Sequence, residues 1–510
     1  MSARAQNPFI TDPFLPSVAP AIYADVPDMS MARVEDTYYM SSTTMHMSPG
    51  VPVMKSKDLV NWEMAAYACD TLADTDEMNL KNGKNDYGRG SWASCIRYHK
   101  GYYYVSTFSG TTNKTYIYRT RNIGKGKWER FVFEPSCHDH SIFFDDDGKT
   151  YIVWGNGKLM VAELKDDLSG LKEETVKVWI ENASAPAGKD IMLGAEGSQL
   201  FKINGKYYLF NIVWPRGGMR TVVVHRADRI GGNCESRVVF QDKGIAQGGL
   251  IDTPDGRWFA YLFRDFGAVG RIPYMVPVRW EDGWPVLGDN GRLPDTIDLP
   301  ASRGLIPGIV ASDEFERRKG DAALPLVWQW NHNPDNSLWS VSARKGYLRL
   351  TTGSIAPDIQ QAKNTLTQRT LGPVCSGIVA MDVSGMNDGD CAGLALLQKE
   401  YGWVGVKVEN GNKRIVMQSA EGITGLDDVV PDQPAVYLKA VCDFTAMKDM
   451  ACFYYSLDGE RWTRIGSELH MRYTMPHFMG YRFGLFNYAT KTAGGYADFD
   501  YFHISDTKQD

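Results

Sequence analysis

The chain has 510 residues, of which 43% are apolar and 12% aromatic, and its 55 Lys and Arg against 61 Asp and Glu leave a formal charge of −6. At roughly 100–200 residues per domain, this length calls for two or more cores, or one large repetitive core with an appendage. There is no basic surplus for nucleic acid or anionic lipid, and no apolar run reaches the roughly 18–20 residues of a membrane span.

In chain order, the first signal is Ala3-Arg4-Ala5 before Gln6. Its A-x-A shape resembles a signal-peptidase site and points to a periplasmic or secreted protein, with the cytoplasm left open. The eight cysteines form no C-x-x-C pair and read as buried free thiols.

A repeat then organises about three hundred residues. Polar turns at Glu35-Asp36, Lys100-Gly101, Asp145-Asp146-Asp147-Gly148, Asn204-Gly205 and Asp255-Gly256 each precede a strand that opens on aromatic residues. Asp-Gly and Asn-Gly tolerate the positive φ of tight hairpin turns, so each unit reads as a hairpin. The anchor aromatics Tyr39, Tyr103, Tyr151, Tyr208 and Phe259 lie 48 to 64 residues apart, about one four-stranded blade. The chain is therefore expected to be all-β, with a five-bladed β-propeller over residues 1–305. Beyond Leu299-Pro300 the hairpin period stops, and from Ser312-Asp313-Glu314-Phe315 short alternating strands predict a β-sandwich over 312–510.

In a propeller the innermost strand of every blade faces the central channel. Counting 11 or 12 residues back from the anchors reaches Asp28, Trp92, Asp139, Glu196 and Gln247 in blades 1 to 5. Three carboxyl groups on one dry axis repel one another, and at least one is driven to hold its proton. Acid and base roles then separate, as in a glycosidase.

The motifs around these residues are Asp25-Val26-Pro27-Asp28, Gly90-Ser91-Trp92-Ala93-Ser94, His138-Asp139-His140-Ser141 and Ala195-Glu196-Gly197-Ser198. With Gly248-Gly249-Leu250-Ile251-Asp252 and Gly270-Arg271-Ile272-Pro273, they resemble glycoside hydrolase family 43, in its β-xylosidase and α-L-arabinofuranosidase branch. The C-terminal region, with Trp328-Gln329-Trp330-Asn331-His332 and Asp498-Phe499-Asp500-Tyr501-Phe502, resembles the concanavalin A-like sandwich of that branch.

The resemblance implies an exo-acting, inverting glycosidase that releases terminal α-L-arabinofuranose or β-D-xylose from hemicellulose-derived oligosaccharides. Asp28 would be the general base, Glu196 the general acid and Asp139 the group that tunes and orients Glu196. Trp92, Arg271 and Gln247 would bind substrate. No cofactor is required. Gln247 stands where the family often has a His, so no metal is expected on the axis. A structural calcium at Asp313, Asp498 and Asp500 is the one metal site the resemblance suggests.

On a strand, alternation would turn His138 and His140 away from Asp139 and make them polar core or subsite contacts. Asp145-Asp146-Asp147-Gly148 reads as a turn, since a calcium loop needs a distal Glu that is missing. Phe486-Asn487-Tyr488 is the candidate for a sandwich segment that closes the pocket. The rival readings are an endo-arabinanase and a catalytically silent carbohydrate-binding protein. Sequence leaves the oligomeric state and the choice of pentose open.

Overall fold

The computed structural model describes residues 18–125, 127–427 and 433–509, so the Ala3-Arg4-Ala5 segment lies outside the described residues. Five four-stranded antiparallel sheets succeed one another along the first half. Blade 1 comprises Ser30–Val34, Thr37–Ser41, Gly50–Ser56 and Glu63–Cys69. The innermost strands of blades 2 to 5 are Cys95–His99, Ser141–Phe144, Ile191–Ile203 and Ala246–Asp252.

Each innermost strand pairs with an aromatic-rich second strand, and ring side chains from both strands fill the space between blades. Tyr39 meets Tyr103 at 5.0 Å, His99 stacks on Phe144 at 4.5 Å, and Phe143 meets Tyr207 at 6.0 Å between ring centroids. Aromatic rings suit these wedge-shaped gaps because each buries a large apolar area at fixed geometry. The ring is sealed by the segment before blade 1, whose Ala21 and Val26 amides donate to the carbonyls of Pro273 and Arg271 in blade 5 (2.8 and 3.0 Å).

The second half is a sandwich of an eight-stranded and a seven-stranded sheet. The eight-stranded sheet takes its edge strand, Met47–Ser48, from the loop inside blade 1, where Ser48 pairs with Trp330 and Met47 with Asn331. The propeller and the sandwich thus share a hydrogen-bonded ladder. All eight cysteines are free, and five are buried. No helix among the described residues is long and apolar enough to cross a membrane.

Candidate active site

Strand pairing defines the channel register directly. The partners of the anchor aromatics are Ala32, Tyr98, Phe143, Phe201 and Ile251, and the residues four positions upstream are Asp28, Ser94, Asp139, Gly197 and Gln247. All five line one cavity on the axis. Four of them adopt left-handed backbone, with φ of 51° at Asp28, 48° at Asp139, 65° at Gly197 and 57° at Gln247. Such a φ is costly for a residue with a Cβ and persists where the surroundings impose it. At Asp28 and Asp139 it lies just before the innermost strand begins, and at Gly197 and Gln247 it falls inside the strand where the pairing register shifts. Glu196 and Trp92 enter from one and two positions further upstream.

Below this level the channel is filled by polar side chains. Arg97 donates to Ser30 Oγ, Ser141 Oγ, Gln199 Oε1 and the Leu200 carbonyl, and Ser30 Oγ donates to Gln199 Oε1 (3.0 Å). The acids therefore sit at the floor of a pocket.

Asp28 is held by both oxygens. Gln247 Nε2 donates to Oδ1 (2.9 Å) and Arg271 Nη1 to Oδ2 (2.8 Å). Burial pushes the Asp28 carboxyl up, Arg271 opposes that shift, and the nearby Glu196 and Asp25 charges reinforce it. Asp139 accepts from the Gly197 amide (3.0 Å), and burial raises it too, against the pull of the neighbouring His138 cation. Glu196 Oε2 accepts from His138 Nε2 (2.8 Å) and from Asn156 Nδ2 (2.6 Å). Asn156 comes this close because Gly194 has no side chain; a Cβ there would lie 2.4 Å from Asn156 Oδ1.

The sandwich supplies one wall. Phe478 stacks on Trp92 (5.5 Å, 29°) and lies under the Arg271 guanidinium (4.4 Å). Its loop is tied to the propeller through the Gly480 amide, which donates to Asp25 Oδ2 (3.1 Å), while Asp25 Oδ1 accepts from the Arg271 amide (2.7 Å). Three carboxyl groups in three different settings, an aromatic wall and a closed floor suit hydrolysis of a glycosidic bond by a matched acid and base.

Comparison with known proteins agrees with this chemistry. Residues 18–285 match the model of the glycosyl hydrolases family 43, and residues 312–505 that of the beta xylosidase C-terminal concanavalin A-like domain. The chain belongs to glycosyl hydrolase family 43. It is 29% identical to a beta-xylosidase of Formosa agariphila, over 95% of this chain and 89% of that protein. It is also 29% identical to a non-reducing end alpha-L-arabinofuranosidase, BoGH43B, of Bacteroides ovatus, over 65% of this chain and 64% of that protein. Among solved structures, a bifunctional GH43-CE protein of Bacteroides eggerthii superposes with a TM-score of 0.95 at 68% identity. That match covers 96% of this chain but 64% of the other, so this chain spans about two-thirds of the bifunctional protein. This family 43 chain is a glycosidase, and its fold is the propeller and sandwich expected from its sequence.

Several expectations about single residues change. His138 does not point away from Asp139, because the left-handed turn at Asp139 lies before the strand begins at Ser141 and alternation does not yet apply. Its Nε2 lies 3.8 Å from Asp139 Oδ2 as well as on Glu196. Burial disfavours its cation, yet the surrounding carboxylates of Asp139 and Glu196 raise its pKa. His140 does turn into the core, donating from Nδ1 to the Cys137 carbonyl (2.9 Å) with Nε2 on Ser106 Oγ (2.8 Å).

Phe486-Asn487-Tyr488 does not close the pocket. These residues are buried inside the sandwich, with Phe486 on Trp403 at 5.2 Å and Asn487 Nδ2 donating to the Leu350 carbonyl (2.8 Å). Phe478 takes that place.

The suggested calcium ligands do not converge. Asp313 is paired with Arg317 (2.7 Å) and accepts from Trp328 Nε1, whereas Asp498 is gripped by Arg349 (2.7 Å) with Arg344 beside it (3.3 Å). Guanidinium groups already supply the positive charge there. Among the described residues, the one set of three ligand-type side chains within 4.8 Å of one another is His138, Asp139 and Glu196. Within that set His138 and Glu196 are joined by a hydrogen bond.

Sequence reasoning missed His138 as a partner of Glu196, and missed Asn156 and Phe478 altogether. The Gly155-Asn156-Gly157 turn was the one signal for Asn156.

Proposed function

We propose that this glycosidase is exo-acting and inverting and removes a terminal pentose, β-D-xylose or α-L-arabinofuranose, from plant cell-wall oligosaccharides. Glu196 protonates the departing glycosidic oxygen. Asp28 takes a proton from the water that attacks the opposite face of the sugar, and Asp139 tunes and orients Glu196.

The observation that carries this reading is the contrast between the acids. Both oxygens of Asp28 are engaged by Arg271 and Gln247, which favours a fixed carboxylate suited to a base. Both donors on Glu196 fall on Oε2 alone. The exo character is supported by the Arg97-filled floor beneath and the Phe478 wall beside the acids. Trp92 and Phe478 offer ring faces to sugar C–H surfaces. Arg271 and Gln247 act first on Asp28 and reach sugar hydroxyls only with their remaining donors.

Proton NMR of the first product from an aryl β-D-xyloside or α-L-arabinofuranoside tests the stereochemistry, with the inverted anomer expected; the retained anomer would overturn it. Glu196→Ala should lower kcat on the same substrates by about 10²–10⁴. Parallel kinetics on the two sugars chooses between them. Release of internal fragments from debranched arabinan would point instead to endo action.

A further inference from the structure

We propose that His138 is a positioning residue for the acid step: with Asn156 it donates to Oε2 of Glu196 and so leaves Oε1 as the oxygen that carries the transferable proton. This rests on the assignment of Glu196 as general acid.

A protonated carboxyl group has one O–H and one carbonyl-like oxygen. An oxygen already accepting two hydrogen bonds at 2.8 and 2.6 Å is poorly placed to hold the proton as well. The two donors thus orient the group about its last torsion and decide which oxygen faces the substrate. His138 is itself held on three sides. Asp139 Oδ2 lies 3.8 Å from Nε2, the Phe108 ring meets the imidazole edge-on at 5.1 Å, and the His138 carbonyl accepts from the Gly155 amide (3.0 Å). That last bond anchors His138 to the same Gly155-Asn156-Gly157 turn that presents Asn156.

The charged and titratable groups around the ring are Asp139, Glu196, Asp28 and the buried, neutral His140. In the reaction, the Oε1–H bond of Glu196 breaks as its proton passes to the glycosidic oxygen. The C–O bond breaks with its electron pair on that oxygen. Water adds at the anomeric carbon and yields its proton to Asp28. The carboxylate left on Glu196 then forms against a donor already aimed at it, with no reorganisation needed.

The test uses two leaving groups on whichever pentose is cleaved faster. A 4-methylphenyl glycoside needs protonation to leave, and a 2,4-dinitrophenyl glycoside does not. His138→Ala is expected to lower kcat on the 4-methylphenyl substrate about 30- to 100-fold, at least tenfold more than on the dinitrophenyl substrate. His138→Gln, whose Nε2 also donates, is expected to recover most of that difference. Equal falls on both substrates, no fall on either, or no recovery by Gln would overturn the proposal, since a merely structural role lowers both rates alike. Thermal melts of each variant identify a folding defect, and in that case the ratio of the two rates in the surviving folded fraction still decides. Glu196→Gln run in parallel separates the two layers. If it is impaired selectively on the 4-methylphenyl substrate while the His138 variants are not, only the positioning role falls; if it is unimpaired on both, the acid assignment itself falls.

Discussion

Arg271 is the counter-charge of a buried carboxylate. Its side chain is 4% exposed and that of Asp28 is 9% exposed. Burial raises the Asp28 carboxyl and Arg271 holds it down, so Arg271→Met frees the upward shift. A base, the role proposed for Asp28, acts only when ionised, so the acid limb of the kcat/KM profile should move to higher pH. The rate loss should then be larger at pH 5 than at pH 8, which a pH–rate series checks; a parallel fall at every pH would assign Arg271 to substrate binding alone. The three acids were legible in the sequence because a repeat brings one register of each blade to a common axis, and only the lengths of the hairpin turns blurred the count. His138 was illegible for a local reason. Alternation predicts side-chain direction only in extended backbone, and Asp139 has left the extended region.

The loop of residues 473–480 is the element that joins the sandwich to the pocket. It works by close approach: a Cβ on Gly480 would lie 2.2 Å from the Val269 carbonyl oxygen and 2.7 Å from its carbon, both main-chain atoms that cannot yield cheaply. Gly480→Ala should therefore lift the loop, weaken the Asp25 contact and draw Phe478 off Trp92. KM is expected to rise several-fold with a smaller change in kcat, because a wall proposed to hold the sugar takes no part in proton transfer; an unchanged KM would show that Phe478 lies outside the sugar's reach. Blade strands were readable from turns and aromatic openings, which act over a few residues. This loop was not, since its docking depends on Asp25, Trp92 and Val269, all far earlier in the chain. The same limit explains Phe486 and Tyr488, whose aromatic character fits a pocket wall and a sandwich interior equally well until strand pairing buries them.

Across the whole molecule the two halves meet in a seam of buried histidines. His46 from blade 1 lies 4.6 Å from His332 and 5.3 Å from His477 of the sandwich, with Tyr87 within 4.7 Å of each ring. His46 Nε2 donates to Asn331 Oδ1 (3.1 Å), and His332 Nε2 accepts from the Asp86 amide (2.9 Å). Burial disfavours the cation in all three and lowers their pKa values, that of His477 to about 3, with Arg482 adding repulsion at His46 and His477. The unfolded chain takes up protons as pH falls through 6.5 while the folded seam does not. Stability that is full above about 6.5 is thus lost progressively towards pH 3, at up to about 1.4 kcal/mol per pH unit for each ring. The melting temperature should drop between pH 7 and pH 5, and His477→Gln should make that drop shallower; an identical slope would place the acid sensitivity elsewhere.

The division into two folds was visible in composition and repeat, but the sharing of Met47–Ser48 was not, because a two-residue strand carries no pattern of its own. That shared strand also orders events in time. At about 5–20 residues per second, the ribosome takes on the order of 15–60 s to travel the roughly 280 residues from Ser48 to Trp330. Throughout that interval the loop of blade 1 has no edge to pair with. The loop of the first blade is thus paired only after the fifth blade has been made, and a chain released before Trp330 would keep that two-residue strand unpaired and exposed to its neighbours.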